Sequence, residues 1–194
     1  MQRSKRAFLS AAAALALAVI CAAACVAPTA PATKGKVVTA TWQHHHVNFS
    51  YFGITALYSC SGLETDIRSL LLHFGARKDA KVTAQGCPQG PDVPSRVAIV
   101  DTDFYSLTPG APPNSPPSDV VQAQWVPVIV SPTQPYFMSG GDCELIYEMK
   151  DLISNNFSFR DLDYRTDCVP RQINLDGFTI KAQALKAVAS TSAL

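Results

Sequence analysis

Two similar cysteine spacings constrain this chain more than any other feature. Cys60 and Cys87 stand 27 positions apart, Cys143 and Cys168 stand 25 apart, and each pair encloses the same order of elements. In the first, Ser61 to Glu64 reads S-x-x-E, a capping box. Leu63, Ile67, Leu70, Leu71 and Phe74 then recur at helical spacing until Gly75 stops the helix. "AKVTAQ" follows as a strand into Cys87. In the second, Asp142 is placed to cap a helix whose Leu145, Ile146, Met149, Leu152 and Ile153 form one apolar stripe, ending at Asn155-Asn156. A strand near residues 162–166 leads to Cys168. A helix that starts at one end of a domain, followed by a strand that returns there, brings its flanking cysteines together. Of the three connectivities that four cysteines allow, this architecture favours Cys60–Cys87 and Cys143–Cys168. The correspondence is one of element order, with little residue identity. Zinc ligation would need C-x(2–4)-C pairs, and the C-x-x-C redox motif is absent.

Disulfides persist in oxidising compartments, and the start of the chain supplies the route to one. "MQRSKR" is a basic n-region, and residues 7–24 are uncharged, rich in Ala and Leu, and end in the small residues Ala22-Ala23-Ala24. Such an Ala-rich run is only weakly apolar beside a membrane anchor. The expected organisation is a signal peptide over 1–24, a Pro/Ala/Thr tether over 25–36, a single α+β domain over 37–188 and a disordered tail over 189–194. Cys25, directly after the Ala run, resembles the lipidated first residue of a bacterial lipoprotein, although Ala22 stands where such sites carry Leu. Free secretion and a lipid anchor at Cys25 both remain open, and that anchor is the one membrane attachment expected. The chain has 16 basic and 15 acidic residues, and losing Arg3, Lys5 and Arg6 with the leader leaves a weakly acidic protein. No basic stripe remains to release counterions from phosphates, which excludes nucleic-acid binding.

The rest of the sequence reads as sheet. Val38, Ala40 and Trp42 alternate before "HHH", Val47, Phe49 and Tyr51 alternate after it, and "ITALYS" reads as a short strand. "RVAIVDTDFYSL" and "VVQAQWVPVIV" read as a long hairpin whose tip, "TPGAPPNSPPS", is too rich in Pro, Gly and Ser to pack. "QINL-DG-FTIK" carries an Asp-Gly hairpin signal. The fold expected is α+β, with two helices packed on one face of an antiparallel sheet and two disulfides, a ferredoxin-like plan with extra strands.

Three constellations could carry chemistry. His44 and His46 share one strand face and are candidate ligands for a copper, nickel or zinc ion. Asp101 and Asp103 share a face in "VDTDFY", a candidate acid–base pair. Tyr136, Phe137 and Met138 lie in a loop between a proline and a glycine pair, where apolar residues are either tucked beneath the loop or exposed for a partner. No G-x-S-x-G, H-E-x-x-H or P-loop spacing supports an enzymatic reading, and no cofactor is implied.

"YFGITALYSCSGLE", "GARKDAKVTAQGC", "GDCELI" and "DLDYRTDCVP" together resemble a group of uncharacterised exported proteins of Gram-negative bacteria over most of the mature chain. That resemblance implies export and the cysteine frame, and no catalytic residue. The reading of the sequence is a periplasmic or extracellular binding or interaction module without catalysis, engaging an envelope protein or a small ligand. A metal-binding protein using His44 and His46, or a hydrolase using Asp101 and Asp103, are the alternatives.

Overall fold

The computed structural model describes residues 36–168 and 177–188. The leader, Cys25, most of the tether and the tail lie outside the described residues. In chain order the elements are β1 (Val38–Phe52), α1 (Cys60–Phe74), β2 (Lys81–Gln85), β3 (Val97–Pro109), β4 (Val120–Val130), α2 (Cys143–Asn156), β5 (Phe159–Thr166) and β6 (Phe178–Ala187). The strands form one antiparallel sheet in the order β2-β3-β1-β4-β6-β5. Both helices cover one face. The apolar stripes of α1 and α2 pack there with Tyr51, Val100, Phe104, Val128, Val130 and Ile180. This is the expected α+β architecture.

The sheet order reads the same from either edge: second, third and first strand of one β-α-β-β half, then first, third and second strand of the other. Within the sheet the halves are joined where Val38–Thr41 pair with Val120–Ala123. The two halves share a residue-level repeat. Val38-x-Ala40-x-Trp42 recurs as Val121-x-Ala123-x-Trp125, 83 positions on (38 to 121), and the same spacing relates Cys60 to Cys143, Phe74 to Phe157 and Arg77 to Arg160. Phe74 and Phe157 approach to 5.9 Å between ring centroids inside the core. On the face away from the helices Val38, Ala40, Trp42 and Leu107 pack with Val121, Ala123, Trp125 and Leu185 as a second apolar cluster. The described chain thus consists of two halves of like topology, each a split β-α-β unit with one further strand, set in reversed order along the sheet. The second helix therefore follows β4 directly, where a simple ferredoxin-like chain would place it before that strand.

Several local expectations change. "RVAIVDTDFYSL" and "VVQAQWVPVIV" are not paired with each other, because β1 lies between them and hydrogen-bonds to both. Their long Pro-rich connection has to cross β1, and Gly110 ties it down by donating to Thr39 O and accepting from Thr41 Oγ1. "ITALYS" forms no strand; Tyr58 makes an isolated bridge to Ser95. "FTIK" pairs with Asp163–Thr166 of β5 and, from Ile180, with β4; the other arm of the expected Asp-Gly hairpin, Gln172 to Leu175, lies outside the described residues. The cap of α1 is Ser59, which accepts from Gly62 N, while Ser61 bonds to Asp92 and Glu64 accepts from Ala84 N on β2. Asp142 stands at the N-cap of α2 as expected, but its side chain turns back to the Ser139 N–H in the capping box of the 3-10 turn at Gly140–Asp142 that leads into the helix. Gly75 ends α1 as expected, at φ 102°, and a Cβ there would lie 2.8 Å from Leu185 O.

Cys60–Cys87 and Cys143–Cys168 are both disulfide-bonded, with Cα separations of 6.1 and 5.6 Å. Each ties the first residue of a helix to the chain just after the following strand. Closing a loop of this size stabilises by about 3.5 kcal/mol in the chain-entropy model. Replacing Cys60 and Cys87 together by alanine should therefore cost about 3 kcal/mol in urea unfolding. Non-reducing peptide mapping should recover each half's own linkage.

Candidate functional site

The ends of β1 and the start of α2 meet in a buried polar lattice. After Phe52 the chain turns so that Ile54, Thr55 and Ala56 point successive N–H groups inward, and one oxygen of Glu144 accepts all three, at 2.9, 3.0 and 3.3 Å. Three donors converging on one point form an anion nest, and the chain fills it with its own carboxylate. Burial would raise the Glu144 pKa, but these backbone donors outweigh it and hold the group below its ordinary value. Its other oxygen is buried and has no hydrogen-bond partner among the described residues. Beside it, Tyr58 donates its hydroxyl to buried Asp142, whose carboxyl is pushed up by burial and drawn back by the Ser139 N–H. Tyr51 donates to Ala56 O at 2.8 Å, and burial, with Glu144 and Asp142 nearby, raises its pKa strongly. This lattice binds the second half's helix to the first half's loop.

The lattice holds a set of apolar side chains out to solvent. Phe52 and Val97 are cross-strand partners on the face away from the helices, Ile99 follows on the same face, and Ile54 and Leu57 sit in the nest loop; all five are exposed. Phe52, Ile54, Arg96 and Val97 line a shallow cavity of about 290 Å³. The loop singled out in the sequence lies alongside, since a Cβ on Gly141 would be 3.9 Å from Ala56 Cβ. Its three candidates part company. Met138 is buried in the core, Phe137 packs partly against it, and Tyr136 is 96% exposed, edge-on to Phe137 at 5.8 Å.

The structure also brings together two constellations that the sequence left separate. His44 and His46 lie on the open face, half exposed, across from the aspartates: His44 Nε2 donates to Asp103 at 3.1 Å and His46 Nε2 to Asp101 at 2.7 Å. Asn48 adds a bond to Asp101 at 3.2 Å. The two His–Asp contacts are diagonal across the strands, whereas Asn48 stands directly opposite Asp101. Among the described residues no group of three or more His, Cys, Asp or Glu side chains converges as metal ligands. His45 points to the helix side, donates to Ser106 at 2.9 Å, and has its pKa lowered by burial.

Comparison with family models, curated proteins and solved structures finds no match for this chain. The site therefore rests on its own geometry. Sequence reasoning missed Ile54, Leu57, Val97 and Ile99. The available signal was the uninterrupted apolar run "VAIV", which leaves Val97 and Ile99 outward when Ala98 and Val100 turn inward.

Glu144→Gln should destabilise by about 1–3 kcal/mol at neutral pH, because an amide places a second donor where no acceptor waits. A depressed carboxyl pKa contributes stability above the unfolded value, about 4.5, that is lost as pH falls through the lower folded value. The gap between parent and variant, measured by urea unfolding across pH, should be full at pH 7 and shrink below pH 4.5.

Proposed function

We propose that this protein is an exported, disulfide-stapled binding module of the cell envelope, acting without catalysis on an envelope protein that offers apolar side chains. The observation that carries the reading is Tyr136, 96% exposed on a loop whose next two residues pack inward and whose far end, at Gly141, approaches Ala56 in the segment that carries exposed Ile54. A large apolar ring held in water by a fixed base loses little ordering entropy when a partner covers it. Clustered exposed apolar groups of this kind mark interaction surfaces. The two disulfides fit an oxidising compartment, and the basic, Ala-rich start of the chain fits export to it. Whether Cys25 carries a lipid decides only how the module is tethered.

Tyr136→Ala should change unfolding stability by less than about 0.5 kcal/mol, whereas Phe137→Ala should cost more because that ring packs on the core. A photo-crosslinking residue at position 136, in the full chain expressed with its leader in a Gram-negative host, should give one discrete protein adduct. That adduct should disappear when Phe52 and Ile54 are replaced by aspartate in a protein that still folds. Equal, diffuse labelling from position 136 and from an exposed position on β2 would contradict the reading.

A further inference from the structure

The two halves of the molecule treat their equivalent tryptophans differently. In the second half residues 157 and 158 alone separate α2 from β5, and the Arg160 guanidinium lies 4.2 Å over the Trp125 ring, roofing it. In the first half residues 75–80 intervene between α1 and β2. Arg77 stacks instead on Tyr105 at 3.5 Å and stands 6.0 Å from Trp42. The extra turn opens a cleft of about 410 Å³ between α1 and the end of β6, lined by Trp42, Leu72, Arg77, Lys78, Lys186 and Ala187 among others.

The cleft is cationic. Arg77 is already matched by Asp79, at 2.9 and 2.8 Å, but among the described residues no carboxylate pairs with Lys78 or Lys186. Lys186 is half-buried, and that burial lowers its pKa, so an unpaired ammonium is held where it is poorly hydrated. His73 close by is held toward its neutral form, first by burial and then by the Lys186 charge, and bonds to Ile129 O at 3.1 Å. An incoming anion would therefore meet two uncompensated positive charges beside an aromatic wall. The volume is that of a small-molecule site.

We propose that this cleft binds a small aromatic organic anion, its ring against Trp42 and its acid group between Lys78 and Lys186. The site is separate from the apolar surface around Tyr136. Arg160 thus roofs Trp125, whereas Arg77 leaves Trp42 on the wall of the cleft.

The chain contains two tryptophans, so its ¹H–¹⁵N spectrum carries two indole signals, which Trp125→Phe assigns. Titration of the full chain with naphthalene-1-sulfonate should shift the Trp42 indole signal saturably and leave that of Trp125 in place. The neutral isostere naphthalene-1-methanol and the ringless anion sulfate should each bind at least about tenfold more weakly. Lys186→Met should weaken the sulfonate by about the same factor, and Lys78→Met, at an exposed position, supplies the same test if the first variant fails to fold. No saturable shift, equal binding of the neutral isostere, or unchanged affinity in the folded lysine variants would overturn the proposal.

Discussion

Val38–Thr41 of β1 and Val120–Ala123 of β4 form the short ladder that turns two three-stranded sheets into one. Ala40 and Ala123 are fully buried in it, small enough for Leu107 and Leu185 to close over the face away from the helices, with Trp42 and Trp125 as flanks. On the other face the equivalent Phe74 and Phe157 meet, and Phe104 stacks on Phe157 at 5.4 Å. Aromatic pairs of this kind are each worth about 0.5–1.5 kcal/mol beyond their burial. The ladder is short, so the halves depend on these side chains and on the Glu144 nest to stay in register.

Much of this was legible in the sequence. Cysteine spacing and helical periodicity identified both cysteine–helix–strand–cysteine units and their disulfides, because those signals are local and each half closes its own bridge. The exchange of strand partners was not legible. Nothing in "TPGAPPNSPPS" says whether the chain turns back on its neighbour or crosses a third strand, since Pro and Gly set the turn and not the span. The V-x-A-x-W repeat was present in the letters, but its meaning depends on knowing that residues 38–42 and 121–125 lie beside one another.

The candidate site was half legible for a related reason. A Pro/Gly-bounded loop with three apolar residues can be noticed, but sorting exposed Tyr136 from buried Met138 requires knowing which way the anchored loop turns. The His and Asp pairs were each seen alone. Their union follows from the β1–β3 register, which periodicity does not specify. Glu144 carried no signal, because a glutamate in the first turn of a helix reads as a favourable charge near its N-terminus. Only tertiary structure brings the nest formed by Ile54, Thr55 and Ala56 to it.

The two similar halves form one cooperative domain through the β1–β4 ladder. Native-state hydrogen exchange tests it most directly. The amides bonded between Val38–Thr41 and Val120–Ala123 should exchange only with global unfolding, at the same free energy as the slowest amides of α1 and α2. Exchange of the ladder well below that limit, with the helices still protected as separate units, would contradict it.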